Sequence, residues 1–398
     1  LAHEPPSLNG SAGGLPADLD RTVSRCIQND PARRFQSAGD LAFTLRSLLS
    51  GPTPRFQTAQ TEGAVETASI AVLPFQNLSP DSENEYFSDG VAEEIINTLA
   101  RLQGLRVAAR TSAFSFKGQN VDIAEVGRRL NVSTVLEGSV RRAGERIRVS
   151  AQLINTADGY HLWSDRFDRK LDDLFAVQDE IAGAIADKLK LTLGLGGGLT
   201  GRPPTRNMEA YDWFLKGRQH VGRGYGLELL GALGCFERSL KLDGGFAGAH
   251  AAIAETYATL AYMSTLPPRE AVPRARISAE RALELDDHLA EAHCALGCVK
   301  TVYDWDWAGA ERCFRRSIEL NPNYVQAFYH YGHPFHGFVT NNFEEGIRVC
   351  RQAVALDPLA VYPLHGWLAN LYVAGRYAEA VPELRNCITE DQGTVHFR

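Results

Sequence analysis

The sequence predicts a multidomain chain: a short all-α piece, an α/β segment built on a mixed sheet, and an all-α solenoid. Residues 69–193 combine short apolar runs with a two-residue alternation, whereas residues 208–398 repeat a helical pattern with a period of roughly 34. Stretches rich in Pro, Thr and Gly at 51–68 and 194–207 separate these blocks. The length, 398 residues, fits two or three domains at roughly 100–200 residues each.

Composition narrows the function. Apolar residues make up 44% and charged residues 22%, which excludes a disordered or collagen-like chain. The formal net charge is −7, and no block is strongly basic, so a nucleic-acid partner is not expected. Seven cysteines stand at 26, 235, 294, 298, 313, 350 and 387 without a C-x-x-C pair, the pattern of reduced thiols in a cytoplasmic protein. No apolar run is long enough to span a membrane, and no signal peptide is present. The chain opens on Leu1-Ala2-His3 without Met, so a longer parent is expected.

Residues 1–50 carry two short amphipathic helices. Leu19, Val23, Cys26 and Ile27 mark the first, and Asp30-Pro31 ends it. Ser37 is a suitable N-cap for the second, with Leu41, Leu45 and Leu48 on one face. Such a pair cannot bury a core alone and must rest on something else. Residues 51–68 read as a flexible linker.

In residues 69–193, Ile70-Ala71-Val72-Leu73-Pro74-Phe75 reads as a buried strand and Leu105-Arg106-Val107 as another. Val91, Ile95, Leu99 and Leu102 mark a helix face between them. Asp122 with Glu125 resembles a capping box, with Ile123, Val126 and Leu130 inward. A hairpin follows: Thr134 to Val140, a turn near Ala143-Gly144, then Ile147, Val149, Ala151 and Leu153 alternating with Arg146, Arg148, Ser150 and Gln152. Tyr160 to Phe167 reads as a further strand, and Leu174, Val177, Ile181, Ile185 and Leu189 as a closing helix. Trp163 and Phe167 are expected in the core, and Arg141, Arg142, Arg146 and Arg148 on a solvated strand face.

Residues 208–398 end their units at Asp243, Asp286, Asn321, Asp357 and, weakly, Asp391. Small residues recur within units: Ala232, Phe236, Ser239; Ala275, Ala279, Ala282; Ala310, Phe314, Ser317; Gly346, Cys350, Ala353. These let paired helices approach closely, giving about five helix–turn–helix units that bury their faces against neighbours. Two other patterns carry little. Gly196-x-Gly198-x-x-Gly201 follows a helix and runs into Pro203-Pro204, so it is read as linker rather than phosphate loop. His330, His333 and His336 spread too widely around a helix to share one metal, and Cys294 with Cys298 lacks two further ligands.

The last block resembles tetratricopeptide repeats, on Leu296-Gly297, Ala310, Phe314 and Pro322. By that repeat alignment, Glu291, Cys294, Cys298, Gln326, Tyr329, His333, Tyr362 and His365 would face a concave groove. The resemblance implies protein or peptide partners, the competing reading being a groove filled by the α/β segment. The middle block resembles the TolB-N-terminal-like domain on Ile70 to Asn77, Tyr86 to Gly90, Leu136 to Arg141 and Leu162 to Phe167, which implies an accessory or sensory module without enzymatic chemistry.

Residues 1–50 resemble the end of the C-lobe of a bacterial eukaryotic-type Ser/Thr protein kinase, on Pro5-Pro6-Ser7, Leu15-Pro16, Cys26 and Asp30-Pro31-Ala32-Arg33-Arg34-Phe35. The resemblance implies that Arg34 forms a structural ion pair with a Glu far upstream. Unpaired and buried, it would cost about 3–5 kcal/mol, so weak amide protection over residues 1–50 is expected. The Gly-rich loop, strand Lys, His-Arg-Asp and Asp-Phe-Gly segments do not occur in this sequence. Catalytic residues, ATP and Mg²⁺ would therefore belong to the parent, and no cofactor is expected within these residues. The expected function is the regulatory, partner-recruiting portion of a cytoplasmic Ser/Thr kinase. The alternatives are a non-enzymatic scaffold with a vestigial kinase tail, or the regulatory half of a cyclase or transcriptional regulator.

Overall fold

The computed structural model describes residues 68–79, 84–102, 104–119, 121–189, 204–223 and 226–390, with side chains to residue 385. The expectations for residues 1–50, Arg34, the linker over 51–67, Gly196 to Gly201 and Asp391 lie outside the described residues.

A six-stranded mixed sheet forms the first part. Its strands are β1 (Ala68–Val72), β2 (Gln76–Asn77), β3 (Leu105–Val107), β4 (Thr134–Ala143), β5 (Arg146–Asn155) and β6 (His161–Lys170). The order is β3-β1-β4-β5-β6, with β2 also on β4. β1 runs parallel to β3 and β4, whereas β4, β5 and β6 form an antiparallel meander. The two-residue period of β1 sorts its side chains: Ile70 and Val72 enter the main core, and Ala71 enters a smaller one. Pro74 cannot donate to a ladder, and the apolar run stops being a strand at Val72. At the β4–β5 turn, Gly144 takes φ +58°, which a tight two-residue hairpin demands.

Helices α1 (Glu85–Ala100) and α4 (Leu174–Lys188) cover one sheet face. Phe116, beyond α2 (Arg110–Phe114), and α3 (Ile123–Leu130) cover the other. Asp122 caps α3 by accepting from Ala124 N at 3.1 Å. The expected capping box is not completed, because Glu125 turns to Arg128 at 2.6 Å. Phe167 is buried as expected, and Trp163 packs partly buried beside it. Arg146 and Arg148 lie on the exposed face, both paired with Asp168.

The second part is five helix pairs. They are α5 (Met208–Arg223) with α6 (Leu227–Leu242), α7 (Ala247–Tyr262) with α8 (Pro268–Leu285), α9 (Ala290–Val299) with α10 (Trp307–Leu320), α11 (Val325–His330) with α12 (Phe343–Leu356), and α13 (Val361–Val373) with α14 (Tyr377–Glu390). The first helices of the third and fourth pairs widen into π-helical turns at Lys300–Asp304 and Tyr331–Val339. Pro334 lies inside the second, where its missing N–H breaks an ordinary helical ladder.

The small-residue pattern has a direct steric cause. A Cβ on Gly217 would fall 2.3 Å from the Phe236 ring, and one on Gly297 would fall 2.6 Å from Phe314. In the fourth pair Cys350 takes the phenylalanine's place, with its sulfur 2.6 Å from a Cβ on Gly332. Ser239 and Ser317, equivalent in their units, each donate at 2.7 Å to a first-helix carbonyl, Ala210 O and Ala290 O. Gly297→Ala is expected to destabilise the chain by about 1–3 kcal/mol through overpacking, read as a lower urea midpoint at unchanged slope.

The sheet and the helix pairs share one hydrophobic core, which runs from Ile70 and Val149 through α1 and α4 into Tyr211, Phe214, Phe236 and Phe246. Leu215 of α5 lies where a side chain on Gly90 would stand. Three polar clamps add to this. Buried Glu93 of α1 pairs with Arg110 at 2.8 Å and with Arg218 of α5, which hydrogen-bonds it at 2.7 Å. Asn323, in the turn before α11, accepts from Val107 N at 3.0 Å and donates to Ala100 O at 3.0 Å and Leu105 O at 3.2 Å. Asp357, in the turn before α13, accepts from Ser112 N at 3.0 Å and Ser112 Oγ at 2.6 Å. Arg142 leaves the expected solvated face and joins them, bonding Asp212 of α5 at 3.0 Å.

Candidate interaction site

The α/β layer docks on α5 and on the turns at Asn323 and Asp357. The successive first helices α7, α9 and α11 carry a pocket lined by Glu255, Ala258, Cys294, Cys298, Gln326 and His330, among others. A neighbouring apolar pocket, lined by Ala258, Val272, Val299, Phe314 and Pro334, also reaches Cys298 and His330.

The residues expected to line the groove divide. Glu291, Cys298, Gln326 and Tyr362 are half-buried and His365 is exposed. Tyr329 and His333 are buried, at 8% and 3% exposure, and Cys294, at 3%, lines the pocket. The cause is lateral packing between neighbouring pairs. Tyr329 meets Tyr362 edge-on at 5.2 Å, His333 meets His365 edge-on at 5.1 Å, and Gly366 leaves room for the Tyr329 ring. Tyr329 and His333 pack into the side of the groove.

Glu255 and His330 line the pocket without having been among the expected groove residues. Glu255 stands one unit before Cys298, offset by the same 43 residues that separate Asp243 from Asp286, so the repeat alignment could have found it. It accepts from Tyr324 Oη at 2.7 Å and lies 3.8 Å from Arg218. Burial raises its pKa, against the pull of Arg218 and Tyr324. Burial also lowers His333 to about 4, helped by His365 and His330, so this imidazole is neutral near pH 7.

Glu94 of α1 feels the charges of Glu93, Arg218 of α5 and Glu291 of α9. Burial, with Glu93 beside it, raises its pKa from 4.5 to about 7. A carboxyl raised on folding favours the fold while protonated, and that stability disappears as pH rises from 4.5 through 7. Glu94→Gln is expected to stabilise the chain by about 1–3 kcal/mol at pH 8 and by nothing near pH 4, read as the difference in melting temperature between variant and wild type. An equal gain at both pH values would contradict this.

His330, His333 and His336 do not converge: His336 turns its Nδ1 to Thr340 Oγ1 at 3.0 Å, and the π turn separates all three. Among the described residues, the metal-competent cluster is Asp286, Asp287 and His288, an exposed loop group of a kind that is common without a metal. No described helix is long and apolar enough to cross a membrane.

Comparison with known proteins adds the following. Residues 66–184 match the family model of the second domain of HilA/YgeH-like transcriptional regulators. A putative adenylate cyclase 3 of Rhizobium meliloti (strain 1021) is 46% identical over 188 residues, covering 46% of this chain and 32% of that protein. Transcriptional regulator HilA of Salmonella typhimurium is 22% identical over 296 residues, 73% of this chain and 51% of that protein. The chain thus spans between about a third and a half of these curated relatives. Among solved structures, MamA is 19% identical, covering 44% of this chain and 94% of its own, at a TM-score of 0.32. TolB from Acinetobacter baumannii is 15% identical, covering 31% and 28%, at a TM-score of 0.24.

Proposed function

We propose that the described residues are the non-catalytic, partner-binding half of a longer cytoplasmic regulator. In this reading the α/β layer braces the helix pairs, and the face of α7, α9, α11 and α13 takes a segment of a partner protein. The observation that carries it is the pocket on the first helices at Glu255, Cys294, Cys298, Gln326 and His330. Recruiting a partner there raises its effective concentration at whatever output domain the chain carries. The test is site-specific photocrosslinking from position 326 in the native cell. A partner captured by wild type and lost in His365→Glu, with the melting temperature unchanged, supports the groove. Capture unaffected by His365→Glu contradicts it.

The output domain is read as a Ser/Thr kinase, on the resemblance of Asp30-Pro31-Ala32-Arg33-Arg34-Phe35 to a kinase C-lobe end, with ATP and Mg²⁺ bound by the parent's own catalytic residues. A second reading, the regulatory half of a cyclase or transcriptional regulator, is favoured by the names of the relatives. The coding sequence upstream of Leu1 separates the two. His-Arg-Asp and Asp-Phe-Gly segments there support the kinase; a cyclase or winged-helix domain rejects it.

A further inference from the structure

The sheet ends on two edge strands that differ in their cover. β3 is closed by Asn323, which bonds Val107 N and Leu105 O. β6 is 10 residues long and pairs with β5 on one side; among the described residues its other side has no backbone partner. Three bonds fix the direction of its outer groups. In an antiparallel strand the N–H and C=O of one residue point the same way, and successive residues alternate. Leu171 N donates to Glu145 O at 2.7 Å, so the odd-numbered positions face β5. Arg166 N donates to Asp165 Oδ1 at 2.7 Å, and Asp168 O accepts from Arg169 Nη1 at 3.3 Å, both away from the β5 ladder. Ser164, Arg166 and Asp168 therefore offer backbone donors and acceptors to one more strand, the kind of open row that templates strand addition.

The side chains along this edge are complementary to themselves. Asp165-Arg166-Phe167-Asp168-Arg169, laid antiparallel on a second copy with Phe167 opposite Phe167, sets Asp165 against Arg169 and Arg166 against Asp168. In this register the outward-facing Arg166 meets the outward-facing Asp168, the rung at which two strands exchange both backbone hydrogen bonds. The nearest registers that keep this parity put Arg166 against Arg166 or Asp168 against Asp168, which like charge disfavours. Edge charges commonly oppose pairing altogether; here they oppose the neighbouring registers and favour one. Asp165, Arg166 and Arg169 are exposed, and Arg169 has only a loose contact with Glu180 at 3.5 Å to share. We propose that two copies of this chain associate through β6, antiparallel about Phe167, into one continuous sheet. This inference goes beyond the partner-binding reading and does not rest on it.

Sedimentation equilibrium of the full chain tests it. Wild type is expected to form a dimer as concentration rises, and the amides of Ser164, Arg166 and Asp168 to exchange more slowly over the same range. Asp165→Arg and Arg169→Asp each place like charges opposite one another twice in the symmetric pair. Each variant, with unchanged circular dichroism, is expected to weaken self-association at least about tenfold. Mixed together, the two variants regain opposite charges at both positions and are expected to form a heterodimer with close to wild-type affinity. A wild type that stays monomeric at every concentration would overturn the second copy as occupant of this edge. A dimer that neither substitution weakens, or a mixture that fails to associate, would overturn it as well.

Discussion

Arg218→Ala is expected to lower the stability of the chain by about 3–5 kcal/mol, because it strips a partner from a buried carboxylate. Glu93 is 4% exposed and sits between two guanidiniums. Burial alone would raise its pKa, but Arg218 and Arg110 together outweigh burial and hold it below the usual carboxylate range. Removing Arg218 leaves a buried carboxylate with half its compensation. A carboxyl lowered on folding contributes stability above its unfolded pKa and loses it as pH falls through the folded value. The penalty is therefore full at pH 7 and fades in acid. The pair Glu93→Gln with Arg218→Met removes the buried carboxylate with one of its two guanidiniums, leaving the partly exposed Arg110, and is expected to cost less than Arg218→Ala alone. Urea unfolding of both variants at pH 7 checks this. A loss under about 1 kcal/mol for Arg218→Ala would mean that the junction is solvated.

Asn323→Ala is expected to cost about 2–3 kcal/mol and to release the edge of the sheet. β3 is an edge strand, and an edge leaves backbone groups open to pairing with other chains. Here one side-chain amide satisfies Val107 N, Leu105 O and the last carbonyl of α1 at once. Its neighbours continue the seal: Ala109 N donates to Leu356 O at 2.9 Å, and Leu359 N donates to Ser112 Oγ at 2.9 Å. Asn323→Ala should raise the hydrogen-exchange rate of the Val107 amide at least about tenfold while the protection of β5 changes little. Asn323→Asp separates geometry from charge, since it keeps the acceptor for Val107 N and loses both donors. Unchanged exchange at Val107 in Asn323→Ala would remove the edge-sealing role.

Much of this was legible in the sequence, for identifiable reasons. Strict alternation in β5 placed Ile147, Val149, Ala151 and Leu153 inside, because a strand with one solvated face has a period of two. The steps between small residues located the helix pairs, because Gly217 and Gly297 each leave room for a phenylalanine from the partner helix. The clamps were not legible. Asp243, Asp286 and Asn321 each end a helix and accept from the backbone two residues on, a local turn that any repeat end makes. Asp357 carries the same signal but spends its carboxylate on Ser112, a residue 245 positions away in sequence. Nothing local distinguishes it. Burial raises its pKa to about 6, so this clamp is already partly protonated in mild acid. In the groove the same limit applied. Repeat spacing placed candidates on α9, α11 and α13, but it could not tell a buried residue such as Tyr329 from an exposed one such as His365. That depends on ring packing between adjacent pairs.

The α/β layer and the helix pairs share one core and are expected to unfold as one unit. Native-state hydrogen exchange of the full chain over a urea series tests this most directly. Amides of β4 and β5 and those of α10 and α12 are expected to merge into one global opening with the same free energy and the same urea dependence. If α10 and α12 open in a separate, lower-energy event while β4 and β5 stay protected, the shared core does not couple the two parts.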